Sequence, residues 1–170
     1  NSATIRGLVL TGSGDSHDRV DSAIVVEGHY NRIEDNHIED VLFGITLHAS
    51  NHNVVARNFI RSRPVDLADR GDGLRLWYST GNRIEGNDIA QIRDVTISNS
   101  PRNRYVGNRI RDSRRAMNFL FAGRSLVEGN DLQYNATGLT ILNSDGIIIR
   151  RNRIAHAMDA SGAGIALKES

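Results

Sequence analysis

The sequence has no cysteine, only two prolines, 5% aromatic residues and a single tryptophan, Trp77. Without cysteine there is no disulfide framework and no thiolate metal site. No stretch approaches the ~20 apolar residues of a membrane span, so this chain is not expected to insert into a membrane. Neither sign of charge dominates. Lys and Arg number 21 against 20 Asp and Glu, the formal net charge is +1, and Arg150 and Arg151 sit among acids rather than in a basic tract. That balance argues against nucleic acid as a partner.

What is present is aliphatic and small. The 170 residues are 39% hydrophobic, enough for one domain with a sizeable core. Frequent Ile, Val and Leu with 16 glycines favour strands joined by glycine-assisted turns. One unit recurs: Asn, any, aliphatic, any, any, Asn, any, aliphatic. It reads NRIEDNHI at 31 to 38, NVVARNFI at 53 to 60, NRIEGNDI at 82 to 89 and NRYVGNRI at 103 to 110, with degraded copies at 125 to 132 and 147 to 154. The second Asn falls at Asn36, Asn58, Asn87, Asn108, Asn130 and Asn152, at spacings of 22, 29, 21, 22 and 22. The long interval is one repeat plus a seven-residue insertion, and Pro64 in it marks a surface loop.

A second signature follows each unit, a small residue and then alternating apolar positions, as in GITL at 44 to 47 and GLTI at 138 to 141. Alternation at period 2 means strands, and no helical periodicity exists in any unit. Strands this short close a core only by stacking on the next coil, ~4.8 Å away. The expectation is therefore an all-β, right-handed, single-stranded parallel β-helix over 1–170, of about seven coils of ~22 residues. The register predicts four inward ladders. Ile33, Val55, Ile84, Tyr105, Val127 and Ile149 form the first, and Ile38, Ile60, Ile89, Ile110, Leu132 and Ile154 the second. Ile45, Leu74, Val95, Met117, Leu139 and Ile165 form the third, and Leu47, Leu76, Ile97, Phe119, Ile141 and Leu167 the fourth.

The Asn column has a physical reason. Asn tolerates left-handed backbone at a bend, and its amide both donates and accepts along a stack. Ser50, Ser79, Ser100, Ser144 and Ser170, with Ala122 as exception, predict a second polar turn. The first coil carries Leu8 where Asn would stand and then an excursion, TGSGDSHDR. Neither end shows a capping element, so a piece of a longer solenoid is expected.

Solenoid cores are structural, and function belongs on outward columns and on loops that break the repeat. The leading segment is RGDGLRLWYS at 70 to 79. Trp77 and Tyr78 follow the inward Leu76, and the equivalent pairs later are Ser98 with Asn99 and Leu120 with Phe121; at least one of each pair faces outward. Asp72, Arg75, Arg93, Asp94 and Asn118 complete the candidate surface. The carboxylates read as separate singles beside arginines, which suits ion pairs better than paired acid and base chemistry, so no catalysis is expected. For a metal, the register places His29 and His52 near one corner with His48 close by, and Met117, on an inward ladder, is a further soft-donor candidate.

In this order and on Asn-rich coils, GLVLTGSG, LFGITL, RGDGLRLWYS, AMNFLF and LKES resemble the NosD proteins of nitrous oxide reductase maturation. The resemblance implies an exported, periplasmic β-helix that binds and delivers rather than catalyses. It also implies copper as the metal handled and, as partner, an ABC transporter membrane subunit or a metallochaperone. A Met-His-Phe-Met type run is implied where Met117, Asn118, Phe119 and Leu120 stand, and a further methionine near Leu142. Two other classes remain open on the residues alone: a carbohydrate-binding or polysaccharide-cleaving β-helix, with Trp77 and Tyr78 stacking on sugar, and a structural or adhesive solenoid.

Overall fold

The eight-residue Asn unit folds as two three-residue strands set at an angle, such as Arg83–Glu85 and Asp88–Ala90, and the alternating segment after it, Asp94–Ser98, closes the coil. Each coil thus has three strands. The computed structural model describes residues 1–160 and 162–170. Seven coils stack into three seven-stranded parallel sheets, here called sheets 1, 2 and 3 in the order the chain meets them.

The predicted ladders form. Ile84 lies between Val55 and Tyr105 in sheet 1, Ile89 between Ile60 and Ile110 in sheet 2, and Ile97 between Leu76 and Phe119 in sheet 3. These side chains are fully buried, each contributing about 1.5–3 kcal/mol through the water it leaves. The third ladder departs from expectation at one rung. Register shifts between Asp94 and Thr96 against Arg115–Leu120, so Ala116 and Met117 are both buried where Val95 alone stands on the coil before. A bulge of this kind adds one residue to the strand and twists it locally.

Both Asn columns are continuous hydrogen-bond ladders. In the second, Asn58 donates from its N–H and its side-chain amide to Asn87 Oδ1 (3.0 and 3.1 Å), and Asn87 does the same to Asn108 Oδ1 (3.0 and 2.9 Å). Each amide also donates across the bend to a strand carbonyl, as Asn87 does to Val55 O at 3.0 Å. The left-handed residue, however, is not the Asn but the one before it: Asp35, Arg57, Gly86, Gly107, Gly129 and Arg151 have φ of 53 to 66°. The chain turns at that exposed residue, which swings the Asn side chain inward to plug the corner. The Ser column behaves alike, with the Ser50 N–H donating to Ser79 Oγ and the Ser79 N–H to Ser100 Oγ.

Sheets 1 and 2 are always joined by two residues, as at Asp35 and Asn36, and sheets 3 and 1 by five wherever the chain passes between them, as at 78–82. Every long connection leaves between sheets 2 and 3. Residues 12–21 do so in the first coil and 63–73 in the third, the latter with a 3-10 turn at Leu67–Asp69. The two are clamped together. The Arg63 guanidinium pairs with Asp15 and donates to the carbonyls of Ser13 and Gly14 (3.1 and 3.2 Å), while Ser13 Oγ accepts the Leu42 N–H at 2.7 Å.

Candidate functional site

Sheet 3 turns one column outward through Val25, Thr46, Arg75, Thr96, Asn118 and Thr140, and a second through His48, Trp77, Ser98, Leu120 and Leu142. Alternation dictates this, since Leu74 and Leu76 point into the core. Over the first three coils these columns floor a groove of about 250 Å³, lined by Val25, Thr46, Arg75 and Trp77 with Glu27 and His48 at its lip. Its wall is the first excursion, through Arg19 and Val20. The wall is held by Asp21, which accepts from the Ser16 N–H at 3.0 Å and pairs with Arg19 at 3.2 Å. The Arg75 guanidinium carbon lies 5.1 Å from the Trp77 ring centroid, a cation–π pair that fixes both side chains.

Trp77 and Tyr78 both face solvent, for different reasons. Trp77 is on the outward strand column; Tyr78 is the left-handed corner residue (φ 50°), 58% exposed, with its ring edge-on to Trp77 at 5.7 Å. Phe121 occupies the same corner two coils on (φ 50°) and is 54% exposed, with Asn99 between them. Asn118 is half-buried and accepts from the Thr140 hydroxyl at 2.5 Å.

Asp72 and Asp94 are not available as a contact surface, Arg93 beside them is only part-exposed, and the two carboxylates are not separate singles. Asp72 is 3% and Asp94 2% exposed, on adjacent coils beneath the seam between sheets 2 and 3. Asp94 is held by the Arg114 guanidinium, by the Arg115 N–H at 3.1 Å and by the Arg115 guanidinium at 3.5 Å. Arg93 reaches Asp72 at 3.5 Å without a true hydrogen bond, which leaves Asp72 Oδ1 and Arg93 Nε unpaired and buried. The two carboxylates stand 22 residues apart, one repeat, so spacing alone sets them on adjacent coils; what it does not show is that the arginines beside them fold over them. Burial, helped by the charge of Asp94, pushes the Asp72 carboxyl above its ordinary value; Thr96, Arg93 and Arg75 pull the other way without cancelling the rise.

A carboxyl raised on folding binds its proton more tightly in the native chain, so its contribution to stability is present below the ordinary carboxylate range and is lost as pH rises through the raised value. Asp72→Asn is therefore expected to gain stability over the parent steadily as pH is taken from about 4 to about 7. Urea midpoints of the two proteins measured across that range check it. Parallel pH profiles would mean that Asp72 ionises in the fold as freely as in water.

The histidines occupy the corner predicted for them without converging. His29 Nδ1 accepts the Asn51 N–H at 3.1 Å, while His52 stacks on Tyr30 with ring centroids 5.2 Å apart. His29 and His48 share a shallow hollow of about 450 Å³ that joins the groove at Glu27, and His48 Nδ1 lies 3.4 Å from the Glu27 carboxylate. Met117 is 1% exposed, a core residue three coils away. Among the described residues no three His, Asp or Glu side chains gather as a metal site. Sequence reasoning missed Arg19, Val20, Glu27 and Thr46; the excursion carries no repeat to fix its register, and only its irregular length marked it.

A parallel solenoid of this kind, with an open groove and aromatic corners on one sheet, is a protein of the parallel β-helix class. The NosD family, described as periplasmic copper-binding protein (NosD), matches residues 57–170, and the chain belongs to that family. No curated protein matches it. Among the described residues no helix is long and apolar enough to cross a membrane.

Copper as cargo tests poorly against the donors here. Cu(I) selects thioether, thiolate and imidazole donors gathered at one point. Met117 is sealed in the core, Met158 is exposed on the last coil, and His37 and His156 lie flat on Phe59 and Tyr134 at 4.4 and 4.6 Å. The residues present do not fit a soft-metal site.

Proposed function

We propose that this chain is an exported binding and delivery component in copper-centre maturation of nitrous oxide reductase, with an ABC transporter membrane subunit or a metallochaperone as partner and no catalytic step of its own. The family match carries the reading. A surface suited to contact supports it: Tyr78 and Phe121 project at one corner, flanked by Trp77, Leu120 and Leu142 on the outward column. Aromatic anchors of this kind dominate protein interfaces. With donors that do not converge, the chain serves as a docking frame, and copper is cargo whose ligands come at least partly from the partner.

The test pairs binding with delivery. The Tyr78→Ser, Phe121→Ser double variant is expected to weaken association with the purified metallochaperone or with the transporter by about tenfold or more. Copper content of nitrous oxide reductase from cells carrying that variant is expected to fall in parallel. Full copper loading in cells that lack this chain altogether would defeat the reading.

A further inference from the structure

The groove over the first three coils is more than a flat contact face. We infer that it is a binding site for an acidic sugar ring, a uronic-acid residue of an oligosaccharide, which stacks on Trp77 and places its carboxylate on Arg75. This inference is independent of the copper reading.

Arg75 is a cation held ready. Of the carboxylates near it, Asp21 pairs with Arg19 and Asp72 lies buried against Arg93, while Glu27 stands exposed at the lip with the His48 ring nitrogen 3.4 Å away. Arg75 makes no ion pair among the described residues, yet its guanidinium is fixed beside the indole. A single cation on the floor, without an ion pair of its own, suits a single carboxylate. A phosphate group would call for a second free cation or a nest of backbone N–H groups, and the other arginine at the groove, Arg19, is already neutralised by Asp21.

The surroundings favour a polyhydroxylated ring. Trp77 offers an apolar face, and Glu27, His48 and Thr46 stand around it as acceptors and donors for hydroxyls. An extended peptide is a poor occupant, because the floor is a sheet face whose backbone groups are spent in the ladder, so strand addition has nothing to pair with. The volume, about 250 Å³, is just below the range of drug-sized pockets and takes one ring, with the rest of an oligomer running into solvent.

The wall is built under strain. Val20, a β-branched residue outside the corner columns, has φ 53°, fixed by its N–H to His17 O at 3.1 Å and by the Ser22 hydroxyl on its carbonyl at 2.9 Å. Behind it, any Cβ on Gly14 would come within 2.1 Å of Asp21 Oδ2. Strained backbone of this kind persists where the surroundings enforce it, and it clusters at ligand sites.

Trp77 is the chain's sole tryptophan, so intrinsic fluorescence reports the groove directly. Titration with trigalacturonate is expected to give a saturable change in emission, at least about tenfold tighter than with the neutral trisaccharide of galactose. Arg75→Gln is expected to bring the acid down to the affinity of the neutral sugar, and Arg75→Lys to keep part of the preference, with unchanged circular dichroism in both. Absence of a saturable response to trigalacturonate, equal binding of the neutral sugar to the parent chain, or equal binding of triglutamate would each overturn the inference.

Discussion

Asn87→Ala is expected to destabilise the chain by about 3–6 kcal/mol, out of the 5–15 kcal/mol typical of a domain. Asn87 sits in the middle of the second Asn column and is buried. Its Oδ1 accepts two hydrogen bonds from Asn58, and its amide donates to Val55 O and Asn108 Oδ1. Alanine leaves the Asn58 N–H inside the protein without a partner, at roughly 1–3 kcal/mol, and takes one hydrogen bond each from the Asn58 amide, the Val55 carbonyl and Asn108 Oδ1.

Serine is expected to recover part of the loss. Ser125 already stands in the first Asn column and accepts the Asn103 N–H at 3.2 Å. Asn152→Ala, at the less buried end of the second column, which also holds Asn87, should lose only about 1 kcal/mol. Urea denaturation followed by circular dichroism measures all three. Equal midpoints for Asn87→Ala and Asn152→Ala would show that the amide column is not what holds the coils.

Gly44→Ala is expected to be nearly as damaging, lowering Tm by about 6–12 °C for a penalty of roughly 3 kcal/mol. A Cβ at Gly44 would lie 2.2 Å from Gly73 O and 2.7 Å from Ile60 Cγ2. The nearer atom is backbone and cannot rotate away, so the second and third coils must separate where the Gly44 N–H bonds Asp72 O and the Ile45 N–H bonds Gly73 O. Gly138 repeats the device, with a Cβ 2.2 Å from Gly164 O. By contrast, Gly73→Ala would press on methyls of Ile92 and Ile89 at 2.8 to 2.9 Å, side chain rather than backbone, so the coils need not part and a milder loss is expected. Calorimetry distinguishes the two; a Gly73→Ala chain that melts lower than Gly44→Ala would refute the backbone argument.

Much of this architecture was legible because the Asn unit fixes register over six coils, and a period-2 strand then leaves no choice about which side chain enters the core. Asn87 was identified correctly as a ladder rung but with the wrong backbone. Left-handed propensity fits Asn, and only the structure shows that Gly86 and Arg57 carry that conformation. The Val95 rung failed because a bulge has no mark in the sequence beyond one extra apolar residue, Ala116.

The site was less legible than the fold. Trp77 and Arg75 were found because they depart from small outward residues on a known strand. Arg19 and Val20 were not, since their place on the groove depends on Asp21 and on Arg63, a residue 48 positions from the Asp15 it binds. Asp72 and Asp94 read as surface ions because charge suggests exposure, whereas the arginines fold over them.

The unequal corners divide the chain into parts that can and cannot change length. Two corners keep a fixed count, two residues and five, because their amide and hydroxyl columns would lose a rung with any insertion or deletion. The third corner spans a single residue between Val41 and Phe43 and a whole looped segment in the next coil, with the stack on either side undisturbed. Insertions and deletions fixed over evolutionary time should therefore collect along one edge of the solenoid, the edge that walls the groove, so that new specificities can arise there while the inherited stack stays in register.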